Sequence, residues 1–398
     1  MRFQSFSKRQ LLALSWWNRP GLMDRDGILC HGAVRSGKSV CCAVGFFLWS
    51  MSCFRGQVFG ICGKTIGALR RNILQNLPGW LGPMLKIKES RSENKLTVTA
   101  PWGAKNVYYL FGGQDEGSAD LIQGITLAGV LLDEAALMPR SFVEQACARC
   151  SVGGAKLWMC CNPQGPEHWF YREWVCKAKD KNLLQLHFTM QDNPALDPAV
   201  RQRYERLYTG VFYRRFVLGQ WCRAEGLVYE FSRRNVAKNL PHHGKFYISV
   251  DYGTMNPFSA GLWCVTGEKA YRIREFYYCG RETGQLMTDE DYYGALERLA
   301  GELPIQRVIV DPSAASFIAL IRKRGRFAVR KARNEVIPGI RLVASCLAGE
   351  RLFIGENCTD CIREFSLYRW QDGTDVPRKE DDHAMDDVRY FCTAVMRR

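Results

Sequence analysis

Through the first half of the chain, short apolar runs alternate with longer stretches of helical length. Strands are expected at Gly27–His31, Val58–Cys62, Val107–Phe111, Val130–Leu132 and Leu157–Cys161, with Leu183–Phe188 as a further candidate. Long helices are expected after the first two, over Lys38–Ser50 and Lys64–Leu77. Strands that alternate with helices in this way predict a parallel α/β sheet. A charged and aromatic segment of helical pattern, Asp197–Leu218, closes this half.

The pattern then lapses. Glu225-Gly226 and Ser232–His243, a polar and basic stretch containing Pro241, read as a connection. Afterwards apolar runs resume at Phe246–Val250, Ala260–Val265 and Ala270–Tyr278, a fourth strand at Arg307–Val310 follows a helix, and Asp382–Met396 reads as a terminal helix. Strands first and a helix–strand–helix region afterwards predict a mixed-sheet α/β domain. The expected organisation is a first domain over 1–225, a linker over 226–243 and a second domain over 244–398. A chain of 398 residues is too long for one ordinary core. It contains no fixed-period repeat and no low-complexity tract.

Composition adds three constraints. A formal net charge of +15 points to a polyanionic partner, either nucleic acid or an anionic membrane surface. The most apolar long stretch, Val40–Phe54, is short for a membrane span and contains Ser50 and Ser52, so a buried helix is expected. Lys8-Arg9 ahead of Leu11–Trp17 imitates a signal peptide, but Asn18-Arg19-Pro20 stands where small cleavage-site residues belong. A cytosolic protein without a targeting segment is expected. In a reducing compartment the seventeen cysteines are free thiols, many buried as small hydrophobes. The pairs Cys147/Cys150 and Cys358/Cys361 fall in different expected domains, and neither pair alone makes a four-ligand zinc site.

Gly32-Ala33-Val34-Arg35-Ser36-Gly37-Lys38-Ser39 fits G-x-x-x-x-G-K-[ST] at every fixed position, between an apolar strand and an apolar helix. Glycines such as Gly32 and Gly37 let the loop wrap phosphate so that backbone N–H groups face it, and the helix N-terminus adds a favourable dipole. Lys38 is expected to reach the β/γ-phosphates of ATP, and the Ser39 hydroxyl to bind Mg²⁺. Val130-Leu131-Leu132-Asp133-Glu134 supplies the acidic partner: Asp133 to hold the metal from its outer shell and Glu134 to activate the attacking water. Arg35 has two readings of equal weight, a charge placed against the transferring phosphoryl group or a salt bridge to a neighbouring loop.

Three aspartates stand out in the second half. Asp251 ends the run Ile248-Ser249-Val250, Asp311 ends Val308-Ile309-Val310, and Asp386 lies on the last helix. Carboxylates at adjacent strand ends repel one another unless a cation lies between them. Such a cluster suits a two-metal phosphodiester-cleaving site, and hard oxygen ligands favour Mg²⁺ or Mn²⁺. A single strand-end aspartate is ordinarily a turn or cap; three in a basic domain shift the balance. Asp387 points about 100° away from Asp386 on a helix, so the metal is assigned to Asp386. Glu275 is either a fourth acid or, as preferred, a cross-strand partner. Arg322, Lys323, Arg324, Arg326, Arg330, Lys331 and Arg333 form a basic run expected to bind duplex phosphates, although alone it reads as a solvated helical face.

These motifs together resemble the terminase large subunits of tailed phages. Further segments carry the resemblance along nearly the whole chain. Cys161-Asn162-Pro163, with Gly165-Pro166 and His168-Trp169, is similar to the family motif that couples ATP hydrolysis to domain movement, with cysteines in place of small hydroxyl residues before Asn162. His187–Pro194, Gly210–Phe216 and Gly219-Gln220-Trp221 also look like family segments, as does Ser7-Lys8-Arg9-Gln10. The resemblance implies that Gln10 reads adenine, that Asn162 belongs to the nucleotide site, and that a P-loop ATPase domain precedes an RNase H-like nuclease domain. It implies that Asp251, Asp311 and Asp386 hold the nuclease metals, with His383 assisting. The implied function is ATP-driven translocation of double-stranded viral DNA into a procapsid and metal-dependent cutting of the concatemer. Implied partners are duplex DNA, a small terminase subunit, the capsid portal and further copies of the chain in a ring. The implied location is the host bacterial cytoplasm, with no membrane contact. Two other readings stand beside it: a P-loop helicase or repair ATPase fused to a nuclease, and a non-catalytic DNA-binding scaffold with an ATP-gated switch. Helicase activity without a portal would favour the former; steady ATP turnover abolished by Glu134→Gln would exclude the latter.

Overall fold

The computed structural model describes residues 5–372 and 374–397. It divides into two compact units, one running to Gln202 and adding Tyr213–Arg223, the other made of Arg203–Phe212 and the chain from Ala224 onward.

The first unit is built on an eight-stranded sheet: β1 Gly27–Gly32, β2 Val58–Gly63, β3 Lys86–Ser90, β4 Lys95–Thr99, β5 Lys105–Gly112, β6 Gly129–Leu132, β7 Lys156–Cys161 and β8 Leu183–Phe188. Their order is β3-β4-β5-β2-β6-β7-β1-β8. Six expected strands are present and pair in parallel, whereas β3 and β4 extend the sheet antiparallel beyond β5. Every residue of β1 and β6 is buried, as parallel strands covered on both faces require. The helix Lys38–Cys53 is apolar almost all round because it lies inside the core, where Phe46 and Trp49 pack against Phe59 and Trp158.

The expected helix over Lys64–Leu77 is broken into Ile66–Leu69, a π-helical turn Arg70–Leu74 and a separate helix Leu77–Leu81. Asp197–Leu218 is likewise two helices, Pro198–Leu207 and Gly210–Phe216, interrupted where Gly210 adopts φ +52. Within the segment expected as a linker, Val236–Ala237 forms β9, an edge strand of the second unit. A two-residue strand leaves no period to read.

The second sheet contains seven strands: β9, β10 Lys245–Asp251, β11 Phe258–Thr266, β12 Lys269–Tyr278, β13 Ile305–Val310, β14 Val329–Lys331 and β15 Leu352–Gly355, ordered β14-β13-β10-β11-β12-β15-β9. The central β10-β11-β12 meander is antiparallel and the flanking pairs are parallel, giving the expected mixed sheet. One face packs the helices Asp289–Ala300 and Ala315–Arg324 through Tyr292, Leu296, Phe317 and Ile321. The helix His383–Val395 lies on the other face, where Phe391 stacks on Trp263 with ring centroids 4.1 Å apart. No described helix is long and apolar enough to cross a membrane.

Candidate functional site: a nucleotide loop and an acidic strand edge

In the first unit the strand order explains how distant segments meet. β7 lies between β1 and β6, so the loop leaving β1, the acids leaving β6 and Asn162 just past β7 emerge side by side at one sheet edge. Gly37 takes φ +86 at the entrance to the helix Lys38–Cys53, and Arg35 takes φ +57. The loop is anchored by Ala33 N–H to the Phe188 carbonyl at 2.8 Å and Val34 N–H to the Phe216 carbonyl at 2.9 Å.

Lys38 is buried, and burial holds its ammonium below the usual lysine range. Its Nζ donates to the carbonyls of Gly32 and Ala33 at 3.0 and 2.5 Å and to Asn162 Oδ1 at 3.1 Å. Ser39 Oγ donates to Asp133 Oδ1 at 2.7 Å, pairing the two expected Mg²⁺ contacts. Asp133 Oδ1 also accepts from Cys160 Sγ at 2.9 Å. Glu134 adopts φ +55, and burial followed by repulsion from Asp133 raises its carboxyl, with Lys38 opposing. Gln10 is buried against the loop, its Nε2 donating to the Ser36 carbonyl at 3.0 Å. The Arg35 side chain is exposed and its carbonyl accepts from Asn193 Nδ2 at 2.7 Å. Arg9 pairs with Asp192 at 2.6 Å, joining the N-terminal helix Lys8–Ser15 to the segment after β8.

At the end of β1, His31 is buried between Gln185 and Trp221, whose Nε1 donates to His31 Nδ1 at 3.3 Å. Burial, with His187 and Lys38 nearby, lowers its pKa from 6.5 to about 3. The ring is neutral at physiological pH.

In the second unit, β10 and β13 run parallel with Val250 opposite Val310, so the next residues, Asp251 and Asp311, leave adjacent strand ends together. Asp311 N–H donates to the Val250 carbonyl at 3.1 Å. Asp386 lies one turn into the helix over the same sheet. Asp251 is pushed up to about 7 by burial, with His383 opposing and Asp386 and Asp311 adding repulsion. Asp386 is also raised, by burial first, against the pull of Arg389. The three carboxylates thus sense one another. Their present partners are cationic or hydrogen-bonding groups of the chain: Asp251 Oδ2 lies 2.9 Å from His383 Nδ1, and Asp386 Oδ2 lies 2.8 Å from Arg389 Nη2. Among the described residues no three His, Cys, Asp or Glu side chains are drawn together closely enough to hold an ion. The donor chemistry nevertheless fits a hard divalent cation: three carboxylates at one edge, two of them kept from ionising readily by burial and mutual repulsion.

Asp387 faces the other way. It is fully buried, takes two bonds from Arg272 at 2.5 and 3.1 Å, and accepts from Ser249 at 2.9 Å and from Ser259. Glu275 is neither a fourth acid at the edge nor a simple cross-strand partner; it accepts the N–H groups of Asp360 and Cys361 at 2.8 and 3.2 Å. The sequence left Arg272, Glu364 and Cys160 without a role, since their partners lie far away in the chain.

The structure divides the basic run. Val310 pairs with Lys331, which sets Lys331 and, two residues on, Arg333 at the acidic edge. Arg322, Lys323 and Arg324 occupy the last turn of a ten-residue helix that begins just past Asp311. At about 1.5 Å per residue this places them roughly 10–14 Å from its start. Arg324 pairs with Glu290 at 2.5 Å and Arg326 with Glu297 at 3.2 Å. Closer to Asp386, a cavity of about 200 Å³ is lined by Arg378, Lys379 and Asp382, a basic contribution the sequence pattern did not reveal.

Comparisons with known proteins identify what the chain as a whole is similar to. Residues 29–236 match the family model "Terminase large subunit, T4likevirus-type, N-terminal". The large terminase of a thermophilic bacteriophage, in one crystal form, is 46% identical over 99% of this chain and 100% of that chain, with a TM-score of 0.90. The same phage's protein in complex with ADP is 45% identical over 99% and 100%, with a TM-score of 0.87. Its complex with ATP-gamma-S is 45% identical over 98% and 100%, with a TM-score of 0.86. No curated protein matches the chain.

Proposed function

Because the chain belongs to the terminase large-subunit family and is therefore a viral DNA-packaging protein, we propose that its first unit is an ATPase motor and its second an RNase H-like, metal-dependent endonuclease. The observation that carries the second half is the register of β10 against β13, which delivers Asp251 and Asp311 to one edge beneath Asp386. The nucleotide complexes of the thermophilic phage's protein support the first half.

In this reading Lys38 exchanges its loop carbonyls for the β/γ-phosphates of ATP, and the backbone of Gly32–Gly37 surrounds them. Ser39 and Asp133 would hold Mg²⁺, which would offset charge on the phosphates. Glu134, whose raised carboxyl suits a proton acceptor, orients and deprotonates the attacking water. Asn162 follows the charge on Lys38 and so links hydrolysis to β7. Gln10 contacts adenine from beside the loop, and Arg35 stabilises the transferring phosphoryl group in cis or in trans.

In the second unit, Asp251, Asp311 and Asp386 would hold Mg²⁺ or Mn²⁺. Bound cations there would neutralise charge on the attacking and leaving oxygens of the phosphodiester. His383, 2.9 Å from Asp251 Oδ2, is positioned to move a proton there. Lys331 and Arg333, with Arg378 and Lys379 by the cavity, bind duplex phosphates, while Arg322, Lys323 and Arg324 contact them farther along. The remaining partners are a small terminase subunit, the capsid portal and further copies of the chain in a ring, in the host bacterial cytoplasm.

A cutting assay on supercoiled DNA with Mn²⁺, Mg²⁺ or EDTA, run beside a phosphate-release assay with ATP, tests both halves. Nicking and linearisation with Mn²⁺ or Mg²⁺ and none with EDTA are expected. Cutting in EDTA would overturn the metal reading. Strand separation of forked DNA without a portal would favour a helicase instead.

A further inference from the structure

Two helices of the second unit are capped by carboxylates borrowed from elsewhere in the chain. The helix Thr359–Leu367 receives no cap from its own leading side chain; Glu275 on β12 accepts its Asp360 and Cys361 amides. That helix carries Glu364, and Glu364 does the same for the next. The residue before the helix His383–Val395, Asp382, supplies no side-chain cap. Instead Glu364 Oε2 accepts Ala384 N–H at 2.7 Å and Met385 N–H at 3.4 Å. Glu364 is fully buried, and its Oε1 accepts the Tyr277 hydroxyl at 2.7 Å. Tyr277, like Glu275, lies on β12, so one strand steadies both caps.

The first amides of a helix lack intrahelical acceptors, and negative charge there is favourable. A buried carboxylate that takes two of them therefore fixes where the helix begins. Ala384 and Met385 are the two residues between His383 and Asp386. Asp251 and Asp311 are placed by strand register, whereas Asp386 depends on the position of its helix. The Asp387–Arg272 pair holds that helix one residue past its first turn, and Glu364 holds the amides within that turn.

We propose that Glu364 is a positioning residue for the divalent-cation site, setting Asp386 and His383 against the two strand-end aspartates, with Glu275 supporting it one helix farther back. The inference rests on the nuclease reading above.

The test is Mn²⁺ binding to the full chain by calorimetry, paired with the Mn²⁺ dependence of plasmid cutting. Glu364→Ala raises the Mn²⁺ dissociation constant roughly 10-fold or more, as loss of an outer supporting contact typically does. Glu364→Gln keeps an acceptor oxygen and gives a smaller rise. Tyr277→Phe, which leaves both amide bonds in place, gives the smallest. Cutting at saturating Mn²⁺ recovers most of the lost rate, and ATP turnover is unchanged. If thermal melting shows that Glu364→Ala does not fold, the other two variants carry the comparison. An unchanged dissociation constant in every folded variant overturns the proposal. If the unaltered protein neither binds Mn²⁺ nor cuts DNA, the nuclease reading itself has failed. If it does both and Asp251→Asn abolishes both, an absence of effect at Glu364 counts against this inference alone.

Discussion

Arg272 grips both carboxylate oxygens of Asp387, at 2.5 and 3.1 Å, with neither side chain reaching solvent. The adjacent Asp386 faces the strand-end acids instead. Removing one member of a buried ion pair strands the other, so Asp387→Ala should destabilise the second unit by about 3–5 kcal/mol. Asp386→Asn should cost less, because Arg389 also bonds Asn334, yet should abolish DNA cutting. Chemical denaturation beside a cutting assay distinguishes the two. A stable but inactive Asp387→Ala protein would reverse the assignment.

The two chemistries should separate by mutation. Lys38→Ala is expected to lower ATP turnover roughly 100-fold or more, in line with the loss of one preorganised charge contact, while Mn²⁺-dependent cutting persists. Asp251→Asn is expected to do the reverse. Loss of both activities from either change in a folded protein would merge the sites.

Cys160 shares Asp133 Oδ1 with Ser39. Deleting that thiol donor removes a bond worth about 1 kcal/mol, equivalent to about a 5-fold change in an equilibrium constant. Cys160→Ala should raise the Mg²⁺ concentration for half-maximal ATP hydrolysis by about that factor, and Cys160→Ser should restore it. Equal behaviour of the two variants would show that the thiol only fills space.

His31 is lowered from 6.5 to about 3. Below pH 6.5 the unfolded chain takes up a proton that the folded ring refuses, so stability present above that pH is lost as pH falls toward about 3. One such proton costs about 1.4 kcal/mol per pH unit. Melting temperatures measured from pH 7 downward should therefore decline less steeply in His31→Gln. Identical slopes would mean that another group governs acid sensitivity.

What could be read beforehand is what the chain states locally. Asp133, Asp251 and Asp311 each stand at the end of an apolar run, Lys38 and Ser39 close the motif loop that leaves another, and parallel pairing brings such ends to one edge whatever the strand order. Residues that act across long separations gave no such signal. Arg272 meets Asp387 115 positions later, and Glu275 reaches an amide 85 positions away. The basic run shows the opposite effect: neighbours in sequence are carried apart by the helix between Asp311 and Arg324. The Lys86–Thr99 hairpin went unseen because its outer strand is charged and has no buried residue.

Gly32 has a duty that its place in a phosphate loop conceals. A Cβ there would lie 2.0 Å from the Phe188 carbonyl oxygen, and one on Gly219 would lie 2.6 Å from the same atom and 2.7 Å from Ala33 N. Three stretches of bare backbone cross without room for a methyl group. The start of the loop, the end of β8 and the turn at Gly219 must consequently shift as one, so a displacement begun at the nucleotide is handed directly to the residues that follow Phe216.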